Sequence, residues 1–384
     1  MNLTETEQII MNKRIAPPAP LGSYPPSDVT FLLKDLSNVS LERATQEREE
    51  AIQSGVHYSE MLPVEYQPTS GYIDLFHETL QDSSRKIALA VAVVSELIVA
   101  QRGLNTVLVS LARAGTPIGV LIKRYISYRY EVDLPHYSIS IIRGKGIDEN
   151  AVLYMLQKHG LDADLQFIDG WTGKGAIRQV LIAACDSFYN KYGIRLNDDL
   201  AVLADPGYCS ATFGTREDYL IPSACLNSTV SGLMSRTVLR GDLIGPEEFH
   251  GAKFYKEWLD ADVSNDFIEA ICPHFPSVTE EALPITADLR QSPPEITWQG
   301  LQDIQCIQKF FGISDINLIK PGVGETTRVL LRRVPWKILV DSMDNPNLRH
   351  VMLLAKDRGV PVEIFPGLTY SCCGIIKPLK GESE

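Results

Sequence analysis

The sequence predicts an α/β fold: a parallel-sheet body under a helical N-terminal hood, then a small α/β/α sandwich. Three observations predict it. Phe167 to Gly175 is an apolar strand that breaks into a Gly/Thr/Lys turn and opens a helix with Ile177, Leu181, Ala184 and Phe188 on one face. Thr106 to Gly119 repeats that plan, with a β-branched run fit for a central parallel strand, then Ala112-Arg113-Ala114-Gly115-Thr116-Pro117 and a helix. From about residue 295 short strands and helices alternate, the signature of a small layered unit.

In order along the chain, residues 1–27 are polar and then Pro-rich, which predicts a loose arm, and the body is expected over 28–290. Leu41 to Ile52 reads as a charged helix, the stretch from Gly55 to Glu60 as a turn-rich solvated loop, with His57 and Glu60 lining a hood over a site as the alternative, and Gly71 to Gly103 as one long helix. Thr116 is the expected N-cap of the next helix, with Pro117 at its first position. Tyr137 to Ile142 alternates as a strand, and Asp148 can cap a helix from Glu149 to His159. Leu200 to Ala204 is a further strand, residues 241–284 look helical, and Ala287 to Ile296 with Pro293-Pro294 is a linker. The C-terminal unit, 295–384, reads helix 301–311, strand 316–319, helix 326–333, strand 336–340, helix 348–358, strand 361–365.

The chain carries 48 acidic against 36 basic side chains, a net charge of -12. The imbalance lies in the first 300 residues; from residue 301 onward the sign turns to +2, so a polyanion is expected to meet the C-terminal part if any. The longest apolar run, Ile87 to Ala100, is interrupted by Ser95 and Glu96, and a cytoplasmic protein with no membrane contact is expected. Seven cysteines without a CxxC pair argue against a disulfide framework or zinc ribbon.

Both glycine turns carry the means to hold an anion. Each puts a helix N-terminus at a strand end, where free N–H groups and the helix dipole favour negative charge. Thr172 adds a hydroxyl donor, Lys174 a point charge, and Arg113 a planar fork. The spacing of an NTPase loop is absent. Arg143 and Lys145 sit on a third loop at the same sheet edge.

The order strand, Asp169, two residues, Thr172-Gly173 and helix resembles the ribose-phosphate loop of type I phosphoribosyltransferases, and Leu111 to Pro117 resembles that family's pyrophosphate loop. Lys320 to Arg328, with Arg358 to Glu363, resembles the Pelota and ribosomal-L7Ae type of RNA-binding domain. Together the two halves resemble proteins of tellurium-resistance stress neighbourhoods, a family also labelled StiP-type cysteine proteases.

The resemblance implies a phosphoribosyltransferase-like domain and a magnesium-dependent transfer from phosphoribosyl pyrophosphate to an unidentified nucleophilic acceptor. Asp169 would orient the ribose and its metal, and the ribose phosphate would lie on Gly170, Trp171, Thr172, Gly173, Lys174 and Gly175. Ala112, Arg113, Ala114, Gly115 and Thr116 would hold the pyrophosphate, with Arg143 and Lys145 assisting its departure. A structured RNA would meet Gly322, Gly324, Glu325, Thr326 and Arg328. The alternatives are a cysteine peptidase using Cys225 or Cys209 with His136 or His57, and a noncatalytic nucleotide sensor that binds RNA. A homo-oligomer is left open.

Overall fold

The computed structural model describes residues 5–65 and 67–377. Its body is built on a sheet of six parallel strands: β1 (Thr30–Phe31), β2 (Val107–Ala112), β3 (His136–Ile142), β4 (Leu165–Trp171), β5 (Leu200–Ala204) and β6 (Phe213–Thr215). Their spatial order is β1-β3-β2-β4-β5-β6, with each neighbouring pair parallel. The short Gly146–Ile147 segment turns back antiparallel onto β3.

Both faces of this sheet are covered, which is why its central strands are apolar at consecutive positions. Leu108, Ile168, Ala201 and Leu203 belong to the core shared with helices α1 (Ser70–Arg102) and α2 (Gly115–Tyr130). Val107, Val109, Phe167 and Val202 belong to the core shared with α3 (Glu149–His159) and α4 (Ala176–Tyr192). Helix α5 (Phe275–Gln291) packs along α1.

The C-terminal unit has strands β7 (Ile319–Pro321), β8 (Pro335–Val340), β9 (Val362–Ile364) and β10 (Cys372–Ile376) in the order β7-β10-β8-β9. Strand β10 is antiparallel to β7 and β8, and β8 is parallel to β9. Helix α6 (Gln299–Phe311) closes one face through Ile304 and Ile307. Helices α7 (Val323–Arg332) and α8 (Arg349–Asp357) cover the other, and Val323, Leu330, Val351 and Ala355 merge with the larger core of the body. Among the described residues no helix is long and apolar enough to cross a membrane.

The mixed α/β architecture with a parallel central sheet is as the sequence predicts, and several local expectations are corrected. The arm carries a helix, Glu5–Asn12, with Ile10 buried; the Gln157 side chain donates to the carbonyls of Ile10 (2.6 Å) and Lys13 (2.8 Å). Thr116 is not a cap: α2 starts at Gly115, and Thr116 is buried with its hydroxyl 2.8 Å from that of Ser138. Residues 241–263 hold a two-residue strand, Gly251–Ala252, and a 3-10 stretch, Lys256–Ala261, before the α-helix Ser264–Ile271. Helix α5 runs through Pro284 into the expected linker. The strand expected at Ile316 opens as a turn, and β7 follows it. Helix α7 starts at Val323 rather than Thr326, because Gly322 adopts a left-handed φ of 85° and the Asp218 carboxylate accepts the Val323 N–H. Strand β10, a central strand of its sheet, was not foreseen.

Candidate functional site

The carboxyl ends of β2 and β4 lie side by side, and the loops that leave them touch. A Cβ at Gly115 would collide with the Ile168 carbonyl, and one at Gly170 would come within 3.2 Å of the Ala114 carbonyl. Only glycine lets the loops approach this closely. Beyond them is a pocket of about 250 Å³. Arg113, Asp169 and Trp171 line it from the sheet, Ser223, Ala224, Leu226 and Asn227 from the segment after β6, and Gly324, Glu325 and Arg328 from α7. The site therefore lies between the two units.

Asp169 is held near neutrality: burial pushes its carboxyl up to about 7, against the opposing hydrogen bond from the Gly170 N–H at 2.8 Å. Arg113 donates to the Met234 carbonyl at 3.0 Å and faces Glu65 at 3.6 Å. Glu65 and Met234 carry no sequence signal for this role, since they lie far from the loop in the chain.

The 172–175 turn is spent on internal contacts. Thr172 donates its hydroxyl to Asp205, and Lys174 donates to the Ile316 carbonyl at 2.9 Å. Burial and the nearby Lys320 and Arg143 push the Lys174 ammonium down to about 8. A side chain at Gly175 would run into Trp298 and Cys209, and one at Gly173 into Trp171. Ala112 ends β2, Thr116 is enclosed in α2, and Arg143 and Lys145 are exposed on a loop outside the pocket. The backbone N–H of Arg143 donates to the Tyr58 hydroxyl at 2.8 Å.

The RNA positions inferred for the C-terminal unit also face inward. A Cβ at Gly322 would strike Trp171, and one at Gly324 would come within 3.0 Å of Ala224. Thr326 is buried, and Arg328 spans the interface with donations to the carbonyls of Ala224 (2.9 Å) and Leu226 (3.3 Å) besides its ion pair with Glu325 at 3.0 Å.

Cys209 lies under the 172–175 turn, 3.3 Å from the Gly207 carbonyl and 3.6 Å from that of Gly173. Burial, reinforced by Asp205, pushes its thiol up to about 12. Cys225 is 1% exposed behind the pocket wall, between the lining residues Ala224 and Leu226. Burial raises its thiol to about 12 as well, but Arg328 and Arg332 pull the other way, and Arg332 donates to the Cys225 carbonyl at 3.0 Å. Among the described residues no hydrogen bond joins a cysteine sulfur to a histidine. His136 is a core residue 2.7 Å from both the Ser110 hydroxyl and the Asp28 carbonyl, and burial pushes it down to about 4. His57 caps the turn Tyr58–Glu60 through its ring and the Ser59 N–H.

Residues 22–272 match the family described as tellurite-like stress resistance cysteine protease StiP, and residues 298–378 match the PELOTA RNA-binding domain. A protein of Acinetobacter baylyi named "Cysteine protease StiP" is 35% identical over 352 residues, covering 89% of this chain and 90% of that protein. These findings overturn the phosphoribosyltransferase expected from the two glycine loops, and magnesium, expected as the companion of phosphoribosyl pyrophosphate, goes with it. The packing gives a physical reason: the Thr172 hydroxyl and the Lys174 ammonium already hold protein acceptors.

Proposed function

The chain belongs to the StiP family of tellurite-like stress resistance cysteine proteases, and from that membership we propose a cysteine-dependent peptidase that works at the pocket between its two units. Cys225 is its nucleophile. The observation that carries this choice is the pair of guanidinium groups, Arg328 and Arg332, beside the thiol of Cys225, whose neighbours Ala224 and Leu226 form the wall of the pocket. Adjacent cations favour the thiolate, which is the attacking species. At Cys209 the cations Arg178 and Arg216 are opposed by Asp205, which disfavours the anion, whereas among the described residues no carboxylate opposes Arg328 and Arg332 at Cys225.

Asp169, on the sheet side of the same pocket and held near 7, serves as the acid and base. As carboxylate it takes the Cys225 proton. The sulfur attacks the peptide carbonyl carbon, the C–N bond breaks, and the Asp169 carboxyl returns the proton to the departing amine. Water then cleaves the thioester, giving one proton to Asp169 and the acyl group to solvent as an acid. Substrate binding must turn the 222–227 segment so that the thiol enters the pocket. The seven free cysteines accord with a reducing cytoplasmic setting. The C-terminal unit, matched to an RNA-binding domain, adds RNA as a second ligand class.

The test is hydrolysis of fluorescein-labelled casein by the parent, Cys225→Ser and Cys209→Ser. Cys225→Ser is expected to lose the activity and Cys209→Ser to keep it within a few-fold of the parent. Full activity in Cys225→Ser removes Cys225 from the role, and a dead Cys209→Ser beside it transfers the role to Cys209.

A further inference from the structure

Outside the pocket the two units leave a cleft of about 660 Å³, of whose lining the peptidase reading uses Arg328 and Arg332. The body contributes Arg48, Arg113 and Arg236 to its walls, and the C-terminal unit Lys320, Arg328, Arg332 and Arg333. Its carboxylates are Glu65 and Glu325. Seven cations against two anions is a strong local excess in a chain of net charge -12. Among the described residues, ion pairs within 4.0 Å in this cleft are those of Arg113 with Glu65 and Arg328 with Glu325. Among the described residues Arg236, Lys320, Arg332 and Arg333 have none. Arg236 is depressed by burial and then by Arg113 and Arg48, so these cations repel one another. Folding gains nothing from gathering like charges, and an anionic ligand relieves the repulsion.

The aromatic neighbours narrow the chemistry. The Arg332 guanidinium lies 4.8 Å from the Tyr72 ring centre and that of Arg236 lies 5.1 Å from Tyr58. The cleft shares Arg113, Ala114 and Arg328 with the inner pocket, where Trp171 and Tyr219 supply further rings. Seven cations with Tyr72 among them, opening towards the rings of the inner pocket, suit a chain that carries one phosphate and one base per step. The helix that brings Arg328, Arg332 and Arg333 belongs to the unit that matches an RNA-binding domain, which favours RNA over an acidic peptide.

We propose that a single-stranded RNA lies in this cleft, gripped jointly by α7 and by Arg236 and Arg48 of the body. The positions inferred for RNA in the C-terminal unit, Gly322 and Thr326, are packed against the body or buried, so the strand meets that unit along the exposed side of α7. This inference does not rest on the peptidase reading, because binding needs no cleavage.

The experiment is fluorescence anisotropy of a 5′-fluorescein-labelled single-stranded oligoadenylate RNA of 12 nucleotides with the full chain over a range of salt. Arg332→Ala/Arg333→Ala, at exposed positions where folding is not threatened, is expected to weaken binding about tenfold or more. Arg236→Ala, at a position that the C-terminal unit alone does not possess, is expected to do the same, with Arg236→Lys recovering part of the loss. Removing all three arginines should make the slope of log affinity against log salt shallower by about 2. Arg195→Ala/Lys309→Ala, exposed on other surfaces, should bind as the parent does. Parent-like affinity in both Arg332→Ala/Arg333→Ala and a folded Arg236→Ala overturns the proposal. Failure of the parent to bind the strand also overturns it, as does preferential binding of oligoglutamate, which would assign the cleft to acidic peptides. Casein hydrolysis by the parent and Arg236→Ala reports on the peptidase reading separately; Arg332, which that reading places beside Cys225, is left out of the comparison.

Discussion

Gly119 shows how tightly the body is specified at single residues. A Cβ there would overlap the Ser110 hydroxyl and the His136 ring, both buried, so Gly119→Ala should destabilise the chain by about 1–3 kcal/mol through overpacking, as urea denaturation would measure. The same histidine sets an acid limit. His136 titrates near 4 when folded, against about 6.5 for an ordinary imidazole, because burial disfavours its charged form. The unfolded chain therefore takes up the proton first. The stability contributed by neutral His136 is complete above pH 6.5 and is lost as the pH falls towards 4, on the order of 3 kcal/mol. Urea midpoints at pH 7.5 and 5 should show the decline, and His136→Gln should flatten it. That histidine was a candidate base in the sequence. Its neighbours, which no local pattern reveals, make it a core residue.

Among the elements, the start of α7 carries the junction between the units. Asp218, buried, accepts the N–H groups of Val323 at 3.0 Å and Ser371 at 2.9 Å, and its carbonyl accepts the Ser371 hydroxyl at 2.9 Å. Asp218→Ala would leave two buried donors unpaired, at about 1–3 kcal/mol each. Calorimetry should record the loss, and limited proteolysis should find new cleavage in residues 292–298, between α5 and α6. Burial pushes the Asp218 carboxyl up to about 7. Its contribution is thus fully present below the ordinary value near 3.8 and is lost as the pH rises through 7, opposite in direction to His136. Asp218→Asn should lack this alkaline-side decline. The sequence located α7 within three residues from its apolar spacing, but its start depends on a carboxylate 105 positions away.

At the scale of the molecule, the two units close over the thiol proposed as nucleophile. Cys306 is exposed on α6, whereas Cys225 is buried behind the pocket wall. Iodoacetamide should therefore modify Cys306 first without loss of casein hydrolysis, and inactivation should follow the slower labelling of Cys225, as mass spectrometry would resolve. Loss of activity in step with Cys306 would argue that access to the pocket is not what protects the enzyme. A second whole-molecule prediction concerns pH: with Asp169 held near 7, kcat/KM for casein should inflect there, and Asp169→Asn should remove the inflection.

The alternation of apolar strands and amphipathic helices was sufficient by itself to determine the parallel-sheet body, the glycine loops after β2 and β4, and the small C-terminal α/β unit, because each depends on neighbours within one strand or one helix. Whether those loops were available to a ligand was not determined there. Lys174 meets the Ile316 carbonyl and Arg328 meets Ala224, contacts between units separated by 142 and 104 positions. Only tertiary packing decided that the two side-chain donors of an apparent phosphate turn, Thr172 and Lys174, meet protein acceptors, and that the glycine edge of the C-terminal unit faces the body. The same packing gathered Arg236 with Arg332 and Arg333 into one cationic cleft. Charge counts along the chain report only the small C-terminal excess, because side chains far apart in sequence become neighbours only when the two units close.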